Sequence, residues 1–365
     1  MVLDLVASRW TVLNEVNAAT ALTIIQRRAG KRSAWLQSDA RFAQLLSAAE
    51  SLFERMAPRN LSNAVYACGQ LGIAPPGDWL ERFWLVSAVK LGDSDPQAFS
   101  NAIYACAQLA ITPPPDWLQR FWHASASKLG DFDPQALSNT LYACGQLGIT
   151  PPADWLLLLL RSFDQILPDM NQQDLANTAF ALAMLQLWDL PLWRGLWERL
   201  CSSLSRDLAG WNAENRLHAM QMYQANQTAA VERPGLLPAP TPALLIAAHK
   251  AWTDVARERQ TEGSSRLHDG ISACLTRMGV AHANERWCDR AERSIDITIE
   301  GAAPVALEVD GPSHFLQDGR QGGPTLLRNR MLAAHGWRVV VVDHRVWEAQ
   351  QTQELREEYL RSLLV

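Results

Sequence analysis

Apolar residues recur at helical spacing from residue 58 onward, and the blocks they form repeat. In LSNTLYACGQLGITPPADWL, residues 137–156, Leu137, Leu141, Cys144 and Leu147 fall on one face of a helix. Asp133-Pro134 ahead of it supplies a cap and a first-turn proline, while Gly148, Pro151 and Pro152 end it. Trp155 then opens a second helix. The same block begins at Leu61 and Phe99, with a weaker copy at Leu175 and an eroded one near Asn215. Asn63, Asn101, Asn139 and Asn177 lie 38 residues apart, as do Trp79, Trp117, Trp155 and Trp193. One helix pair cannot bury its own apolar face, so units of fixed period stack on their neighbours. The pattern changes at VERPGLLPAPTPA, residues 231–243, which has four prolines and no periodicity. Beyond it lie helical stretches at 244–260 and 264–278, strands at 294–300, 305–311 and 337–343, and a helix at 325–335. The prediction is a mainly α chain. A helical cap (1–57) precedes an α-solenoid of 38-residue helix pairs (58–230), a Pro-rich linker (231–243) and a small α/β domain (244–365).

Composition narrows this picture. No run of 18 or more uncharged apolar residues occurs, so no membrane span is expected. The first twenty residues lack both the basic start of a secretory signal and the Arg-rich bias of a transit peptide. A reducing compartment, the cytoplasm or an organelle matrix, is the expected setting. Three of the six cysteines, Cys68, Cys106 and Cys144, repeat with the array and read as core residues rather than disulfide or zinc ligands. Net charge is −5, and residues 58–230 hold 10 basic against 15 acidic side chains. Phosphate neutralisation supplies most non-specific nucleic-acid affinity, so RNA binding would need a local patch or base contacts.

The pattern LSNxxYACGQLGxxPPxDWL resembles the octotricopeptide repeat, the 38-residue unit of organelle RNA-maturation and translation factors, over residues 58–230. That resemblance implies binding of single-stranded RNA, each repeat contributing to the reading of a base. A position that discriminates bases should differ between repeats, which favours Ala64, Ala102, Thr140 and Thr178 as readers, flanked by Ser62, Ser100 and Ser138. The uniform Asn63, Asn101, Asn139 and Asn177 fit either a framework hydrogen bond or a ligand contact. Tyr66, Tyr104 and Tyr142 fit either base stacking or core packing.

In the C-terminal part, ALEVDGPSHF at 306–315, Thr325, Arg328 and the strand GWRVVVVD resemble the RAP domain, a module found with helical repeats in RNA-associated proteins. The resemblance implies a fold related to PD-(D/E)XK endonucleases, that is, restriction-endonuclease-like. Glu308 and Asp310 share a strand face, and a hairpin centred on the 301–303 turn pairs residues summing to about 604, setting Asp296 opposite Glu308. Three such carboxylates suit Mg²⁺ or Mn²⁺, with His314 in reach as a proton shuttle. The lysine of the endonuclease motif falls on Asp310, and the domain's lone lysine, Lys250, is far upstream. Arg328 and Arg330 are the candidates to replace its charge or contact RNA, although an arginine cannot act as a base at neutral pH. Three readings stand: an RNA-binding protein for RNA processing, stability or translation, with no small-molecule cofactor; a Mg²⁺-dependent ribonuclease; and a scaffold for protein partners. Loss of Mg²⁺-dependent cleavage in Glu308→Ala marks the second, and capture of protein without RNA the third.

Overall fold

The structure is a computed structural model that describes residues 1–365 except 1–2, 5–7, 9–11, 30–32, 207, 209, 262–265, 302 and 365, and except the side chains of 256–261. It divides into two compact units, Met1–Leu196 and Trp197–Val365.

In the first unit α1 (Glu15–Ala29) and α2 (Ala40–Ser51) precede the pairs α3 (Pro58–Leu71) and α4 (Gly77–Lys90), α5 (Pro96–Gln108) and α6 (Pro115–Ala126), α7 (Pro134–Leu147) and α8 (Ala153–Ile166). Helices α9 (Gln172–Met184) and α10 (Trp193–Ser205) follow, and the division between units falls inside α10. The first helices pack in sequence, α1 on α3, α3 on α5, α5 on α7 and α7 on α9, as one layer. The approach is close: a Cβ added at Gly145 would meet the Ala181 backbone at 3.1 Å.

Short-range chemistry sets the helix ends. Asp95 and Asp133 accept from the backbone N–H of Ala98 and Ala136 at 2.8 and 2.7 Å, each ahead of a first-turn proline. Asn171 and Asp174 form a reciprocal capping box on α9. Each first helix closes on a left-handed residue 38 positions from the last, Gly72, Ala110, Gly148 and Gln186, after which a backbone N–H returns to the helix.

The repeated tryptophans couple adjacent units. Trp79, Trp117 and Trp155 are almost fully buried, and their indole N–H groups donate backward, to the Leu46 carbonyl, Ser87 Oγ and Ser125 Oγ at 3.1, 2.9 and 3.0 Å. Lys90 Nζ donates to the carbonyls of Glu54 and Met56, and Lys128 Nζ to those of Gly92 and Ser94, all within 2.6–2.8 Å. Cys68, Cys106 and Cys144 are free and buried, as packing requires, and burial pushes the Cys68 and Cys144 thiols up to about 12.

The second unit contains α11 (Ala213–Glu232), α12 (Pro242–Thr261), α13 (Arg266–Arg277), α14 (Gly323–Ala334), α15 (His344–Ala349) and α16 (Gln353–Leu364) around a four-stranded sheet. Its strands, β1 (Ala283–Cys288), β2 (Arg293–Ile299), β3 (Val305–Asp310) and β4 (Arg338–Asp343), lie in chain order. The first two pairings are antiparallel and β3–β4 is parallel. One sheet face packs Leu307 and Val342 against Ile271, Leu275 and Leu360; Ala306 packs with Leu332. Helices α11 and α12 pack together, and the stretch joining them is held, since Pro238 accepts from the Trp197 indole at 2.8 Å. Tyr223 and Gln227 of α11 donate to Glu292 beside β2 at 2.7 and 2.8 Å. The Pro-rich stretch read as an inter-domain linker thus lies inside this unit, where its prolines end one helix and begin the next.

Left-handed backbone disfavours any side chain with a Cβ by about 1–2 kcal/mol, partly offset by the unfolded-state entropy of glycine. Ala110→Gly should therefore raise stability by roughly 0.5–1 kcal/mol, read as an upward shift in the urea midpoint.

Candidate nucleic-acid interface and carboxylate cluster

The expected reader positions are inside the array. Ala64, Thr140 and Thr178 have no exposure and Ala102 has 5%; Ser62, Ser100 and Ser138 are buried too. Thr140 Oγ1 donates to the Ala136 carbonyl, Ser62 Oγ to that of Arg59, and Ser138 Oγ to Asp174 at 2.8 Å. A helix turns about 100° per residue, so the residue after each Asn rotates into the seam between units. These seven positions are buried in repeat packing rather than open to a ligand.

The uniform Asn, Tyr and Gln residues lie on the accessible face of α3, α5 and α7. Asn63, Asn101 and Asn139 form one row, and Asn101 Nδ2 donates to Asn63 Oδ1 at 3.0 Å. Tyr66, Tyr104 and Tyr142, one turn on, form a second, with ring centroids 6.2 and 6.4 Å apart. Gln70, Gln108 and Gln146, another turn on, extend the same face and were missed, although their i+7 spacing from Asn was legible. In the fourth unit Asn177 is buried, and Phe180, also buried, replaces the tyrosine. Arg59 is the one charged residue in α3, α5 and α7 together. The acidic excess of the repeats therefore lies in the second helices and turns.

In the sheet unit, the register Ile297↔Leu307, Thr298↔Ala306 and Ile299↔Val305 is the one expected from the hairpin, bringing Asp296 into line with Glu308. Asp296 Oδ2 accepts from the Val309 backbone N–H at 2.7 Å. Glu308 and Asp310 have no exposure. Their cation is Arg328 of α14, whose Nη2 lies 2.7 Å from Asp310 Oδ1 and 3.0 Å from Glu308 Oε2. The bond to Asp310 is a directed hydrogen bond; Glu308 has only the ion-pair approach, and neither of its oxygens has a hydrogen-bond partner. Gln321 Nε2 donates to Asp310 Oδ2 at 2.5 Å, and His314 Nδ1 lies 3.2 Å from Asp310 Oδ1 and 3.3 Å from Thr325 Oγ1. Arg330 points elsewhere, donating to Glu232 at 3.0 Å.

Burial pushes Glu308 up to about 8, aided by Asp296 and Asp310 and opposed by Arg328. Burial also lowers His314 against the pull of Asp310. A fourth carboxylate, Glu285 of β1, is raised by burial and by Asp296, with His268 Nδ1 at 3.1 Å. It went unseen because β1 itself did. A divalent ion with its own waters does not fit this donor set: the guanidinium already sits among the carboxylates, and Glu308 favours its proton. Among the described residues no cluster of three or more His, Cys, Asp and Glu is arranged to hold a metal ion.

Because the fold holds the Glu308 proton more tightly than the unfolded chain does, the stability this group contributes is complete below about 4.5 and lost as pH rises through about 8. Wild type should therefore lose stability relative to Glu308→Gln across that window, measured by paired thermal melts at stepped pH. Arg328→Met, which strands two buried carboxyl groups, should cost about 3–5 kcal/mol at neutral pH in the same assay.

Residues 307–363 match the family model of the RAP domain, and residues 76–210 match that of the Tbc2 translation factor N-terminal domain. A RAP domain-containing protein, chloroplastic, of Oryza sativa subsp. japonica is 28% identical over 181 residues, 48% of this chain and 27% of that protein. The chain thus spans about a quarter of the length of the relative it matches. Among the described residues no helix is long and apolar enough to cross a membrane. A mostly helical chain with a small sheet unit behind it, and the family match covering β3 to α16, agree on one assignment: the protein carries a C-terminal RAP domain.

Proposed function

We propose that the protein binds single-stranded RNA along its first-helix layer, acting in RNA processing, stability or translation. The observation that carries this reading is the half-exposed face of Asn, Tyr and Gln recurring every 38 residues on helices that hold a single charged side chain. Amides offer a donor and an acceptor to base edges, and tyrosine rings offer a stacking surface to any base. The RAP domain and the translation-factor match support an RNA-directed role, and the chloroplastic relative supports an organelle setting. The uncharged face also answers the acidic net charge: affinity would come from stacking and hydrogen bonds, with few phosphate contacts.

A second reading, a scaffold for protein partners, is favoured by the opposite layer. There Leu85, Val89 and Leu157 are 74, 73 and 60% exposed, near a groove of about 620 Å³ that Val89, Trp122 and Trp155 help to line.

The two separate in a titration of the full chain with single-stranded RNA. Each lost base–aromatic stack costs about 1–3 kcal/mol, so Tyr104→Ala should weaken binding about 5- to 150-fold. The salt slope should be shallow, fewer than about three phosphates at ~0.7 each. No affinity for single-stranded RNA, or a steep slope indifferent to Tyr104→Ala, would overturn the RNA reading.

A further inference from the structure

We infer that the preferred RNA is a run of three identical bases, one per repeat, read by three chemically equivalent sites. This rests on the RNA-binding reading above and adds the ligand's sequence class.

Reading different bases at successive positions requires different hydrogen-bonding groups at those positions. Here the groups facing outward are the same three times over: Asn63 with Tyr66, Asn101 with Tyr104, and Asn139 with Tyr142. The positions that do vary, Ala64, Ala102 and Thr140, lie in the seam, and the Thr140 hydroxyl is spent on the Ala136 carbonyl. One turn earlier the face also varies, but Arg59 is engaged with Gln97 and Asp95 of the next unit, at 2.6 and 3.2 Å. Sites with equal groups have equal preferences, so affinity is greatest when one base recurs.

The length of the run follows from where the rows stop. Thirty-eight residues before Asn63 and Tyr66 stand Ile25, which is buried, and Arg28; thirty-eight after Asn139 and Tyr142 stand Asn177 and Phe180, both buried. Three units carry the pair. The tyrosine rings are 6.2 and 6.4 Å apart, against a rise of about 3.4 Å per nucleotide in a stacked strand. A strand keeping its stacking would place two nucleotides per unit. With one nucleotide per unit the strand is drawn out, and each base leaves its neighbour for its own tyrosine. An Asn amide presents both a donor and an acceptor, even where one N–H is committed to the neighbouring Asn, so it can make a two-point contact with a base edge, and the base that suits it best is the same at all three sites.

The test uses the full chain and single-stranded RNA oligomers of one length and one fixed flank, with AAA, UUU, CCC or GGG at the centre. Each is paired with versions in which the middle base or one outer base is replaced. One homotrimer should bind more tightly than the other three, and replacing its middle base should weaken it about fivefold or more. Asn101→Ala, with folding checked by its thermal melt, should remove the preference at the middle base and keep it at the outer two. If oligomers bind but interrupted and uninterrupted centres do so equally, the inference is overturned and the RNA reading survives. If no oligomer binds, both are overturned.

Discussion

The array depends on each unit completing the hydrogen bonding of the unit before it. The indole N–H of Trp117 reaches back to Ser87 and that of Trp155 to Ser125, while Lys128 closes on two carbonyls at the end of the preceding unit. These are buried or half-buried polar groups, and leaving one without its partner costs more than making it gains. Period and polarity of the stack are therefore fixed together: a neighbour shifted by one residue strands a tryptophan and a lysine at once. This fixed spacing also aligns the Asn and Tyr rows, because seams tied by the same Trp and Lys contacts hold identical faces in line.

Much of the fold was legible in the sequence because its signals are local. Asp-Pro starts, glycine stops and the apolar stripe of α7 each follow from a few adjacent residues. The β2–β3 register followed from one short turn. Strand β1, ANERWC, was not legible. It is a polar edge strand with only Cys288 buried, so alternation gave no core face to detect, and Glu285 within it has positive φ. The extent of the second unit was equally hidden. That α11 belongs with the sheet rests on Tyr223, Gln227 and Glu292, contacts about 65 residues apart in sequence that no periodicity encodes.

The site was legible in part. Asp296, Glu308 and Asp310 come together as the strand geometry required, with His314 beside them, but which cation balances the carboxylates was decided by α14, through Arg328, eighteen residues beyond Asp310. In the repeats the variable positions lie on the buried side of the helix. Ala64, Ala102, Thr140 and Thr178 vary because a seam tolerates small residues of similar volume, whereas the outward Asn is constant. Variation within a repeat marks freedom, and freedom here belongs to packing.

The fourth unit departs from this scheme. Ile166 stands where Lys90 and Lys128 stand, and Trp193 donates to Leu187 within its own unit. Here Ser138 Oγ of the third unit donates to Asp174 of the fourth, a hydroxyl–carboxylate contact for which the earlier units, with Ala98 and Ala136 at the place of Asp174, have no acceptor side chain. In a linear chain of modules, cooperativity is set link by link, and a link of different strength is a fault line. Under load or denaturant the array is divided into segments by its joints rather than by its helices. The joint between α8 and α9 is the one whose chemistry is unlike the others.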